Sequence, residues 1–121
     1  MSDPYKIPQN VMYDTDAENA DQRYVVWRKV FRAYCTVRQC HQPIDKFLDE
    51  YKAANQGTSS KTTAEVESEY NVMNNMLYAN ILMCVTGRQL ENVVLSDNVA
   101  EGDGHAAMEA LENKNKGKAN D

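Results

Sequence analysis

Apolar residues recur along this chain at the three- and four-residue steps of amphipathic helices, and no alternating stretch is long enough to predict a strand. The spacing predicts a first helix from about Ala20 to Arg38, with Trp27, Val30, Phe31, Tyr34 and Val37 on one face. Arg23, Lys29, Arg32 and Arg38 fall opposite them, and Asp16, Glu18 and Asp21 sit near the start, where the helix dipole favours anions. Pro43 suits the first turn of a second, shorter helix carrying Ile44, Phe47, Leu48 and Tyr51 on its inner face. Gln56-Gly57-Thr58-Ser59-Ser60 reads as a loop.

A third helix is predicted to begin near Thr62 or Thr63, because Thr62 and Glu65 have the spacing of a capping box. Val66, Tyr70, Met73, Leu77, Ile81 and Cys84 follow at alternating steps of four and three. Residues 76–85 are apolar on more than one face, so this helix is expected to be the most buried, and Gly87 is placed to end it in the left-handed conformation. Leu90, Val93 and Val94 predict a short helix. After a polar turn, Asp103 can cap a last helix whose Ala107, Met108 and Leu111 face inward.

The ends differ in character. Residues 1–16 hold two prolines and no clear period, which predicts an extended arm with Tyr5, Ile7, Val11, Met12 and Tyr13 available to pack on the body or on a partner. Residues 114–121 are almost wholly polar and are expected to be a disordered tail. The expected fold is therefore all-α: a compact bundle of about five helices over residues 17–113, with Trp27, Val30, Phe31, Tyr34, Leu77, Ile81 and Leu111 in its core.

Composition narrows the functional classes. With 121 residues, 42% of them hydrophobic, the chain can bury one core without staples. A net charge of −5 argues against a domain whose main task is gripping nucleic-acid phosphates. No apolar run is long enough to span a bilayer, and the N-terminus lacks the pattern of a secretory signal. With three cysteines, an odd number, reduced thiols and a cytoplasmic setting are expected.

Candidate chemistry is sparse. Cys35, Cys40 and His41, with Cys84 as a fourth ligand, do not have the paired short spacings of structural zinc, and small core hydrophobes explain Cys35 and Cys84 better. A Cys–His nucleophile pair using His41 or His105 lacks a glycine-rich oxyanion loop. The acidic groups Asp45, Asp49, Glu50 and Glu65, Glu67, Glu69 fall opposite the apolar stripes, as solvated faces do. Neither the Glu-x-x-His pattern of bundle metal sites nor a phosphate-cradling glycine motif occurs. No enzyme, cofactor, metal or small-molecule substrate is called for. Arg23, Arg28, Lys29, Arg32 and Arg38 make the first helix locally basic, either as a solvated face or as a contact between copies that gathers positive charge. Trp27 and Phe31 fit the core better than an interface.

Three segments together resemble the N-terminal Gag (capsid) region of copia-type long-terminal-repeat retrotransposons. The first is Tyr24-Val-Val-Trp27 followed by Val30, Phe31 and Tyr34; the second is Glu65–Tyr70 running into Asn75-Met-Leu-Tyr-Ala-Asn-Ile-Leu82. The third is Gly87-Arg-Gln-Leu90 with Val93, a polar turn, and Ala106-Ala-Met-Glu-Ala-Leu111. The likeness covers about residues 20–115. It departs from the family pattern at Met108, where a second tryptophan is usual, and at Gly104-His105, where Thr-Ala is usual; segment 39–60 is also longer and more helical than expected, and no zinc knuckle follows.

The resemblance implies a capsid N-terminal domain that assembles with itself into hexamer- and pentamer-like rings of a virus-like particle, with RNA enclosed indirectly and no membrane involved. Arg28, Lys29 and Arg32 are then the candidate assembly or polyanion contacts. A different class of protein also suits the composition: a small acidic interaction protein of viral or phage type that binds and inhibits a basic host partner.

Overall fold

The computed structural model describes residues 7–55 and 61–119. Five α-helices carry them: α1 (Ala20–Val37), α2 (Gln42–Asp45), α3 (Leu48–Asn55), α4 (Thr63–Cys84) and α5 (Gly104–Ala119). Helix α5 packs against both α1 and α4 and so occupies the middle of the bundle. A short wide turn over Leu90–Val94 joins α4 to α5, closed by the Leu95 N–H donating to the Leu90 carbonyl at 2.9 Å. The fold is all-α, as the periodicity predicts.

Helix α1 buries Ala20, Tyr24, Trp27, Phe31 and Cys35. Val30 and Tyr34 lie at the edge of that stripe, and Val37 is 84% exposed. Val37 is about 120° around the helix from Phe31 at 100° per residue, too far for the core to reach. The tyrosine and the cysteine take the places the expected stripe assigned to valines.

The N-terminal arm is part of the core from Ile7 onward, while Tyr5 lies outside the described residues. Val11 and Tyr13 are each only 3% exposed. The Trp27 indole donates to the Val11 carbonyl at 2.8 Å, and the rings of Tyr13, Trp27 and Phe31 stack in series at 4.9 and 4.7 Å. Strand β1 (Tyr13–Asp14) pairs in parallel with β2 (Val85–Thr86), which directly follows α4. Two residues per strand carry no readable period, so this pairing is a tertiary event.

The second predicted helix is two. Lys46 is extended (φ −135, ψ 139), which separates α2 from α3 and leaves Phe47 45% exposed instead of inward. The Tyr70 hydroxyl donates to the Lys46 carbonyl at 2.8 Å and holds the break in place. Tyr51, Val66 and Tyr70 then form a small second core between α3 and α4.

Helix α4 starts with the predicted capping box: Glu65 N–H donates to Thr62 Oγ1 at 3.1 Å and Thr62 N–H donates to Glu65 Oε1 at 3.3 Å. It is not buried all round. Val66, Tyr70, Leu77, Ile81 and Cys84 face the core with Tyr78 and Asn80, while Val72, Met76, Leu82 and Met83 are exposed on another side. Gly87 does take a left-handed conformation (φ +92), but in the turn after β2 and not as the cap of α4. A Cβ there would lie 2.6 Å from Thr15 Oγ1.

Asp103 caps α5 by accepting from Ala106 N–H at 3.1 Å, and Ala107, Met108 and Leu111 are buried as expected. The helix runs on through Ala119, past residue 114 where the tail is expected to begin. The reason is Asn115, which is fully buried. Its amide donates to Gln89 Oε1 at 2.8 Å and to the Leu111 carbonyl at 2.7 Å. Its oxygen accepts from Gln89 Nε2 and from the Tyr13 hydroxyl, each at 3.1 Å. Residues 120 and 121 lie outside the described ones.

Candidate interaction surfaces

The three basic residues of α1 singled out as contacts part company in the structure. Arg28 Nε lies 3.4 Å from Glu112 Oε1 on α5. Arg32 Nε donates to both Asp45 oxygens at 3.1 Å, bracing α1 against α2. The Arg32 guanidinium holds the Asp45 carboxyl below the usual carboxylate range by these hydrogen bonds and its charge. Both arginines therefore serve the bundle's own packing. Lys29 is exposed, with Val25 (51% exposed) and Val26 (66%) close by on the same helix.

Between these braces lies a cleft of about 300 Å³ lined by Arg28, Ile44, Asp45, His105, Glu109 and Glu112. His105 Nδ1 sits 2.8 Å from the Pro43 carbonyl, so it carries the proton and donates, while Nε2 faces Glu109 at 3.6 Å. Three carboxylates, Asp45, Glu109 and Glu112, share the cleft with Arg28 and His105, and no serine, threonine or cysteine lines it. It offers no nucleophile next to a base.

The structure brings Cys35, Cys40 and Cys84 into one buried cluster of free thiols. The Cys35 thiol is pushed up by its hydrogen bond to Cys40 and by burial, and the Cys84 thiol is pushed up to about 11 by burial. Cys40 is held lower, first by the hydrogen bond from Cys35 and also by the Asn80 amide, which donates to its sulfur at 3.2 Å. His41 has a buried Nδ1 without a hydrogen-bond partner. Among the described residues, no group of three or more His, Cys, Asp or Glu side chains is arranged to hold a metal ion. The cluster is core: its sulfurs fill space against α1 and α4.

What sequence reasoning missed is the outer face of α4. Val72 (55% exposed), Met76 (41%) and Met83 (52%) follow one another at helical steps with exposed Ala79 between them, and Leu82 lies beside them. No charged residue occurs from Asn71 to Thr86. Val72 and Met76 also wall an open groove of about 540 Å³ whose other side is Arg38, Gln39, Gln42 and Tyr51. The signal is in the chain: a run apolar on several faces supplies both an inner face and an exposed one.

No protein-family model matches the chain, and no curated protein or solved structure is detectably similar to it. Among the described residues, no helix is long and apolar enough to cross a membrane. Any functional reading therefore rests on the surfaces.

Proposed function

We propose that the chain is a structural, self-assembling domain of the capsid type, as its resemblance to copia-type Gag N-terminal regions suggests, and that it is not an enzyme. The observation that carries this reading is the presence of large exposed apolar side chains on two separate helices: Val25, Val26 and Val37 on α1, and Val72, Met76, Leu82 and Met83 on α4. On α4 these side chains follow one another along one face, and an exposed apolar stripe of this kind marks a contact site in soluble proteins. One self-complementary contact stops at a dimer, whereas two different contacts per copy allow rings and shells to grow.

In this reading Lys29 belongs to the α1 contact, beside Val25 and Val26. Arg28 and Arg32 act indirectly, keeping α1 in register with α5 and α2 through Glu112 and Asp45. The partner is the chain itself. RNA, if enclosed, is held indirectly, since a net charge of −5 gives little grip on phosphate.

Native mass spectrometry and negative-stain microscopy over rising protein concentration and salt test the proposal. Rings, tubes or particles are the expected result. A chain that stays monomeric throughout overturns it, and tight binding of one basic partner by such a monomer would favour an acidic inhibitor instead.

A further inference from the structure

We infer that residues 15–19 are a hinge through which the N-terminal arm is exchanged between copies, so that Val11 and Tyr13 of one chain fill the place of the same residues in a second. This deepens the capsid reading and rests on it, because the partner is again the chain itself and each exchanged arm ties two copies together.

The groove and its occupant are both on view. In a single chain the arm runs back along α1. Trp27 Nε1 donates to the Val11 carbonyl at 2.8 Å, and the Tyr13 hydroxyl bonds the Ala20 carbonyl at 2.7 Å and Asn115 of α5 at 3.1 Å. Strand β1 lies parallel to β2, and parallel strands have no tight hairpin between them. The arm is therefore linked covalently to the body through residues 15–19 alone. A second copy offers the same groove, so residues 7–14 can make all of these contacts with it, and only the hinge has to change.

The hinge is in conflict with its own sequence. In the compact chain α1 begins after Asn19, which stands in the left-handed region (φ 68) and gives the helix no side-chain cap. A helix cap normally has extended backbone and a side-chain oxygen that accepts from the first turn. Four residues earlier, Thr15-Asp16-Ala17-Glu18 has the same capping-box spacing that starts α4 at Thr62 and Glu65. That box is unused, because Thr15 Oγ1 donates to the Thr86 carbonyl at 2.6 Å and accepts from Gln89 N–H at 3.1 Å.

With Thr15 as the cap, residues 16–19 would add a turn to α1, about 6 Å at 1.5 Å per residue. Asp16 and Glu18 would enter the first turn, where the dipole favours them, and Asn19 would leave the left-handed region. The arm would then be carried off the end of its own α1. Residues 7–14 span up to about 26 Å when extended, enough to lie along the α1 of a neighbour. Against this stand the bonds of Thr15 to Thr86 and Gln89, and that of Asp16, whose carboxylate accepts from Arg88 N–H at 3.0 Å. A short hinge poised between two local structures invites exchange. Because the arm's own contacts are the same in both forms, concentration decides between them.

Asn19 is the place to test this, since its side chain is exposed and makes no cap bond, so that substitutions act on backbone preference. Glycine suits the left-handed turn and disfavours helix, and alanine does the reverse. Sedimentation velocity of the full chain from about 10 μM to 1 mM compares Asn19→Gly and Asn19→Ala with the wild type. The glycine variant should associate at least about tenfold more weakly and the alanine variant at least about tenfold more tightly, because a reciprocal dimer holds two hinges. The Tm of the dilute monomer should move the opposite way, up for glycine and down for alanine. Isotope-labelled and unlabelled wild-type chains, refolded together from urea and concentrated, should show isotope-filtered NMR contacts from the Tyr13 ring of one chain to the Trp27 ring of another, since these rings stack at 4.9 Å. Shifts in Tm without any change in association would overturn the exchange and leave the capsid reading standing. Assemblies in which the Tyr13–Trp27 contact stays within one chain would do the same. Wild type and both variants monomeric at the highest concentration, with no particles, would overturn both.

Discussion

Replacing Asn115 by alanine removes a hub that joins three parts of the chain. Its side chain bonds Gln89 twice, the Leu111 carbonyl once and the Tyr13 hydroxyl once, from a fully buried position. Each such bond is worth about 1 kcal/mol net, and polar groups left buried without a partner cost more. Two losses are softened. Gln89 is only part-buried and can turn to water, and the Tyr13 hydroxyl keeps the Ala20 carbonyl at 2.7 Å. The expected net cost is about 2–3 kcal/mol, with a fall in Tm of roughly 8–12 °C for a domain of this size. Thermal melts followed by circular dichroism, with exposed Asn113→Ala beside it, provide the assay. Hydrogen exchange should show the Val11–Asp14 arm and the last turns of α5 loosening together, since Tyr13 couples them. A loss of about 2 °C or less, equal to that of Asn113→Ala, would show that the C-terminal segment is not anchored and would refute the reasoning.

Gly87→Ala should destabilise the fold by about 2–3 kcal/mol in urea denaturation, because φ is +92 and the new methyl meets Thr15 Oγ1 at 2.6 Å. A double-mutant cycle of Arg32→Met and Asp45→Asn should give a coupling of only about 0.5–1 kcal/mol at pH 7, since both groups are partly exposed. Asp45 is depressed in the folded chain, so this contribution is present above the unfolded carboxylate pKa and should vanish as pH falls through the folded one. At the alkaline end the sign reverses. Cys84 is pushed up to about 11, and Tyr13 and Tyr70 to about 12, all by burial, so folding favours their protonated forms. Their contribution is complete below the unfolded values and should be lost as pH rises through about 9 to 12, read as a falling urea midpoint. Ellman's reagent should find none of the three cysteines in the native chain and all three after unfolding, because each is fully buried.

Local rules written into the chain carried much of the architecture. The bounds of α1 and the start of α4 follow from periodicity and from the Thr62–Glu65 box, and the cap at Asp103 from a side chain that bonds within three residues of itself. Such signals act over one or two turns, so a sequence displays them. The candidate contacts were legible only as residue types: Arg28, Lys29 and Arg32 stand out as basic, but which of them is tied to Glu112 or Asp45 depends on how α1 meets α5 and α2. Long-range pairing decided the rest. The β1–β2 ladder, the break at Lys46 held by Tyr70, and the burial of Asn115 by Gln89 and Tyr13 each join residues more than twenty positions apart. The same holds for α4. A run apolar on several faces says that it avoids water, and only the packing of α5 and α3 against one side decides which apolar residues remain for a partner to cover.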